Sequence, residues 1–150
     1  MPDRHLWTRH STKTIALDGT AGNGAETSDV TVFTITGRVF IHQIVAFCTE
    51  SLLSAGGGTL ALGVVADTDA FLGSITATNL DTNDWWTAAT GTPAGAVTYG
   101  FQTTSDASTS ALSKAVATDI IITIGTADIT DGTIVFDVIY TPLTDGARLF

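Results

Sequence analysis

The chain has 150 residues, of which 44% are hydrophobic and only 14% charged, with a formal net charge of −9. A length of this order fits one domain that buries roughly 70% of its unfolded surface, and so apolar a composition excludes disorder as a description of the whole. The acidic surplus argues against nucleic acid as a partner, because binding to phosphate draws on clustered Lys and Arg that release counterions.

Composition also sets the class. Threonine and the β-branched aliphatics suit a pleated, half-buried surface, where their stiff χ1 costs little. Helix-forming Glu occurs only at 26 and 50, and Lys only at 13 and 114. The chain reads as all-β. Cys48 is the single cysteine, which removes any intrachain disulfide and is in keeping with synthesis in the cytoplasm. No stretch approaches the roughly 18 apolar residues of a membrane span, and "MPDRHLWTRHSTK" lacks the apolar core of a signal peptide. The expectation is a soluble protein with no membrane partner and no export signal.

In chain order, residues 1–13 come first and are basic. Arg4, Arg9 and Lys13 stand against Asp3, a balance of +2, which leaves three bases and fourteen acids, −11, for the rest. This head is either a solvated tail or a contact for an anionic patch on a partner. A short strand over Thr12 to Leu17 and a Gly, Asn and Asp-rich loop follow, so residues 1–28 read as an N-terminal arm and loop, and 29–150 as the folded domain.

"DVTVFTITGRVFIHQIVAFCTE" carries the strongest strand signal. Counting alternately, Val39, Ile41, Val45 and Phe47 share one face, and Phe40, Ile44, Ala46 and Cys48 the other. Gly37 interrupts the run and suggests a bulge or a bend between two sheets. The triple glycine 56–58 is a turn before two more strands, which are separated by Asp67 to Asp69. A long polar excursion, "DTNDWWTAATGTPAGA", holds Trp85 and Trp86. "VTYGFQTT" and "TDIIITIGT" are further strand candidates flanking "SDASTSALSKAVA", which fits one helical turn or a strand edge. Finally, "GTIVFDVIYT" places Ile134, Phe136, Val138 and Tyr140 on one face and Thr133, Val135, Asp137 and Ile139 on the other. Short strands separated by turn signals, with no helical period, imply a single β-sandwich, jelly-roll or Greek-key-like, behind an N-terminal arm.

Candidate chemistry is sparse. His42 lies in an apolar strand and reads as a structural or subunit-contact histidine, not a general base. On an uninterrupted strand it would share a face with Cys48 at roughly 20 Å, too far for a dyad. His5 and His10 have no second cysteine with which to build a zinc site. Asn79, Asp81 and Asn83 alternate as the first ligands of a calcium loop do, but the sixth position is Asp84 and the twelfth Thr90, not Gly and Glu. "AGGGT" is a turn, because it does not link a strand to a helix as a phosphate loop does. Hence no catalytic, metal or cofactor-binding residues are expected. Trp85 and Trp86 are the strongest recognition candidates: one of two adjacent tryptophans is available to stack on a sugar or anchor a protein contact, unless the pair folds back as a lid.

With these residues in view, "VFTITGRVFIHQIV" and "GTIVFDVIYTPLTDGARLF" resemble small virion structural proteins of tailed bacteriophages, of the capsid decoration or cement type. The shared pattern is an early Thr-Gly-x-Val strand, met here by Thr36, Gly37 and Val39. Its closing strand is met by Gly132, Ile134, Phe136, Val138, Tyr140, Pro142, Leu143, Gly146 and Ala147. The likeness spans residues 30–150 loosely and these two ends closely; the double tryptophan and the basic head lie outside it. It implies a non-enzymatic protein of the virion, bound to the outside of a shell of major capsid protein, as a trimer. The terminal turn is then expected to deliver Leu149 and Phe150 to a neighbour; apart from the resemblance, the charge of Arg4, Arg9 and Lys13 leads to the expectation that they meet an acidic partner surface. Other readings are a head–tail connector or tail component, a carbohydrate-binding or adhesin module built on Trp85 and Trp86, and a small hydrolase, which has no convincing Ser, His and Asp arrangement to support it.

Overall fold

A computed structural model describes residues 7–86 and 114–150. Its strands are β1 (Arg9–Ala16), β2 (Asp29–Phe33), β3 (Ile35–Thr36), β4 (Val39–Leu53), β5 (Thr59–Val64), β6 (Asp67–Thr76), β7 (Trp85–Trp86), β8 (Lys114–Val116), β9 (Ile120–Gly125), β10 (Asp131–Pro142) and β11 (Arg148–Leu149). One large sheet runs β1-β10-β4-β7 with β8 also on β4, the other runs β2-β9-β5-β6, and β11 pairs with β3 in a short third sheet. All the strand pairs are antiparallel. Partners far apart in sequence lie side by side while the chain passes from sheet to sheet, and this wrapping is the jelly roll. The expected all-β sandwich is the observed fold.

The two layers close on one core. Ile134, Phe136, Val138 and Tyr140 point inward from β10, as their alternation predicts, and face Ile120, Ile122 and Ile124 of β9. The β-branched run "IIITI" suits β9, the second strand of its sheet, because a flanked strand has little use for polar positions.

β4 departs from simple alternation. Its fifteen residues pair with the twelve of β10, and register shifts occur at three places. At one of them Ile139 faces Gln43 while the next residue, Tyr140, faces Ile41, so His42 is an extra residue. A bulge of this kind bends the strand and reverses the parity beyond it. Val39 and Ile41 are therefore inside together with Ile44, Ala46 and Cys48, while Phe40, Val45 and Phe47 are half-buried. The face assignment by alternate counting is corrected accordingly, and His42, which is exposed, does not share a face with the buried Cys48.

The N-terminal boundary also changes. Residues 9–16, expected within an arm, pair along their whole length with β10 from Arg9↔Tyr140 to Ala16↔Thr133. After them the loop is tied down, with Leu17 N–H donating to Gly132 O at 2.8 Å and Ile129 N–H to Gly24 O at 2.8 Å. Arg9, Lys13 and the loop before β2 thus belong to the sandwich.

Gly37 marks a corner, as expected. The chain leaves β2 in one sheet, pairs briefly as β3 with β11, and enters β4 in the other. Gly37 has φ +76, and an added Cβ would lie 2.6 Å from Thr144 Oγ1 and 2.9 Å from Ala147 Cβ. Only glycine fits both the dihedral and the space. The strand candidate "VTYGFQTT" lies outside the described residues, as does "SDASTSALSKAVA" up to its last four residues, where Lys114–Val116 is a strand edge, not a helical turn.

Candidate functional site

The double tryptophan divides. β7 pairs with β4 through Trp85↔Phe47 and Trp86↔Ala46, which sends the two rings to opposite sides of the sheet. Trp86 is 2% exposed, lies edge-on to Phe136 at 6.3 Å, and donates its indole N–H to Gly73 O at 3.1 Å. It is a core residue with its polar atom satisfied, so the expectation of a paired recognition platform is corrected. Trp85 is half-buried on the outer face, 4.8 Å from the Phe47 ring.

The C-terminal pair divides in the same way. Leu149 is 4% exposed and belongs to the chain's own core, with its N–H donating to Tyr140 Oη at 3.3 Å, which corrects its assignment to a neighbour. Phe150 is 52% exposed. Its backbone exchanges hydrogen bonds with Thr34 at 2.8 and 3.1 Å, and the Arg148 guanidinium sits 5.3 Å from its ring centroid. The strand that ends the sequence therefore closes the sandwich with one apolar residue and presents the next.

Of the basic residues, Arg4 lies outside the described residues, and Arg9 and Lys13 are exposed on β1. They share the face of β1 that carries the buried Ile15, so their side chains emerge where this sheet edge opens toward the other layer.

The outer face of the five-stranded sheet was not legible from the sequence. Register aligns Thr14, Val135, Phe47 and Trp85 in one row across β1, β10, β4 and β7. The adjacent row holds Thr12, Asp137 and Val45. Asp137 Oδ1 accepts from Thr12 Oγ1 at 2.5 Å and lies 2.9 Å from His10 Nε2. This trio superficially has the members of a nucleophile, base and acid relay. However, Thr12 donates its hydrogen bond straight to the carboxylate, and His10 Nε2, 3.5 Å from the hydroxyl oxygen, meets that same carboxylate oxygen, so the histidine does not stand between hydroxyl and acid as a relay needs. The cluster pins the edge strand to β10. His42 is likewise satisfied, with Nε2 2.7 Å from Thr141 Oγ1 and Phe40 edge-on at 5.1 Å.

The calcium-like run is a turn stitched to β4. Asn83, at φ +74, donates its N–H to Cys48 O at 2.8 Å; Cys48 N–H donates to Asp84 O at 2.9 Å, and Asp84 Oδ2 accepts from Asp81 N–H at 3.1 Å. No group of three or more His, Cys, Asp or Glu among the described residues is placed to hold a metal. Burial pushes the Cys48 thiol from its ordinary 9.0 up to about 11, the direction of an unreactive core cysteine.

No family model matches the sequence, and no curated protein matches it. Among solved structures, a chain of the cyanophage Pam1 capsid asymmetric unit is similar over 90% of this chain and 84% of its own, with a TM-score of 0.55 and 16% identity. A chain of the acidic stable capsid of Helicobacter pylori bacteriophage KHP30 is similar over 96% and 98%, with a TM-score of 0.48 and 8% identity. The likeness to the Pam1 chain shows a shared fold that extends nearly end to end.

Proposed function

We propose that the protein is a non-enzymatic structural component of a tailed-phage virion, decorating the capsid from outside as a trimer on the major capsid protein. The observation that carries this reading is the near end-to-end fold match with a chain of a phage capsid asymmetric unit. It agrees with the resemblance in the strand that closes the sequence, most of whose apolar positions lie in the core.

Two features of the molecule suit the role. Hydrogen bonds among His10, Thr12 and Asp137 tie the edge strand β1 to β10, which suits a structural role. The outer row through Val135, Phe47 and Trp85 offers apolar surface to a neighbouring copy. In this reading the chain is made in the host cytoplasm, and Arg4, Arg9 and Lys13 meet acidic surface on the shell. Burial of Trp86 leaves Trp85 alone, which removes the support for a two-ring carbohydrate platform.

Imaging of the assembled particle tests the reading. Density for this chain on the outside of the head is expected; density at the neck or on the tail would instead make it a connector or tail component. Mass in solution checks the trimer. The basic residues are tested by exchanging Arg4, Arg9 and Lys13 for Glu or by raising salt, either of which weakens attachment. Trimming through residue 13 would remove most of β1 and confound binding with folding.

A further inference from the structure

The fold sorts the charges by end. One end of the sandwich gathers the β1–β2, β4–β5, β6–β7 and β9–β10 connections, because β1 and β4 end there, at residues 16 and 53, and β7 and β10 begin there, at residues 85 and 131. It carries Asp18, Glu26, Asp29, Asp81, Asp128 and Asp131, all exposed, with no Lys or Arg among the described residues at that end. Hydrogen bonds from Thr20 hold the Asp18 carboxyl below its ordinary range, which favours its charged form.

The opposite end holds the corner of β3 and β11, the β5–β6 turn and the start of β4. Arg9, Arg38 and Arg148 are exposed there, mixed with Asp67, Asp69 and Asp145. It also gathers exposed large apolar side chains: Val65 is 75% exposed in the β5–β6 turn, Leu143 44% just after β10, and Phe150 52% after β11. The acidic end has Leu53, at 53%. Val65 lies in the turn that joins β5 to β6, and Phe150 pairs with Thr34 just beyond β2, so the order β2-β9-β5-β6 leaves them three or four strand spacings apart, roughly 15–20 Å, which one partner surface can span. An exposed aromatic beside an arginine is a common unit of protein-binding surfaces, and Arg148 over the Phe150 ring is one.

The structure assigns the docking polarity, resting on the decoration reading above: the end bearing Val65, Leu143, Phe150, Arg38 and Arg148 sits on the capsid shell, and the acidic end points away from it. The partner is a shell-protein surface that offers apolar pockets and carboxylates. Self-repulsion of the acidic end keeps copies from stacking on the decorated side.

The test uses the full chain and heads purified from a mutant of its phage that lacks it. The double variant Val65→Asp with Phe150→Asp changes exposed side chains, and a melting curve like that of the wild type certifies its fold. Sedimentation with heads is expected to weaken roughly tenfold or more, whereas Glu26→Lys with Asp81→Lys leaves it within about threefold. Arg38→Glu with Arg148→Glu gives an independent loss. Should the wild-type chain fail to sediment with such heads, the decoration reading fails and the polarity falls with it. If the wild type binds, and the acidic-end pair abolishes binding while the apolar-end pair does not, the polarity alone is wrong.

Discussion

The two faces of the five-stranded sheet are built from the same kinds of residue and differ in what covers them. Inward, Ile134, Phe136, Val138 and Trp86 are at most 2% exposed. Outward, Val135, Phe47, Val45 and Trp85 are half-buried, interleaved with Thr12, Thr14 and Asp137. A side chain that already has a complete set of neighbours contributes to folding and has nothing to offer a partner. One with neighbours on its own sheet alone contributes less to folding and can still gain from being covered. Sequence neighbours such as Trp85 and Trp86, or Leu149 and Phe150, therefore have separable roles.

The largest expected effect tests the inner face. Phe136→Ala should cost about 3–5 kcal/mol, from lost transfer energy and the cavity left against Trp86. Val135→Ala, one residue away, should cost about 1 kcal/mol. Urea denaturation of both variants checks the difference; equal losses would mean that the outer face is covered as fully as the inner one. The C-terminal pair sharpens the contrast, with Leu149→Ala costing about 2–5 kcal/mol. Phe150→Ala should stay within about 1 kcal/mol, the scale of an exposed cation–π contact, and show its effect in attachment to heads instead.

Which parts of this were legible in the sequence follows from how local their causes are. The inward face of β10 is read directly, because Ile134 to Tyr140 alternate without interruption. The face of β4 is not, because a bulge at His42 leaves no mark in composition and shifts the residues from there to Cys48 by one. Gly37 is legible as a break, though its reason, the approach of Thr144 and Ala147, comes from more than a hundred residues away. Trp85 and Trp86 sit in polar sequence, so a loop was the natural reading; the short β7 exists because β4 offers it an edge. Arg9 and Lys13 read as part of an arm because an edge strand tolerates charge even on the face that carries its buried Ile15. The division of charge between the two ends depends on which turns the jelly roll brings together, and no linear reading of acids and bases contains that.

Cys48 supplies the most delicate test of the β4 register. It lies on the inner face only because of the His42 bulge, and its burial holds the thiol proton to about pH 11 instead of 9.0. Since the folded form binds that proton more tightly than the unfolded chain, the contribution to stability is complete below about pH 9 and is lost as pH rises through 11. Stability measured by urea unfolding should thus decline between those values, and by less in Cys48→Ala than in the wild type. At pH 8 a thiol-specific chromogenic disulfide should react with the native protein only as fast as the chain opens, and at once in urea. Immediate stoichiometric reaction with the native protein would place Cys48 on the outer face and remove the bulge from the account of how β4 divides its residues between the core and the surface.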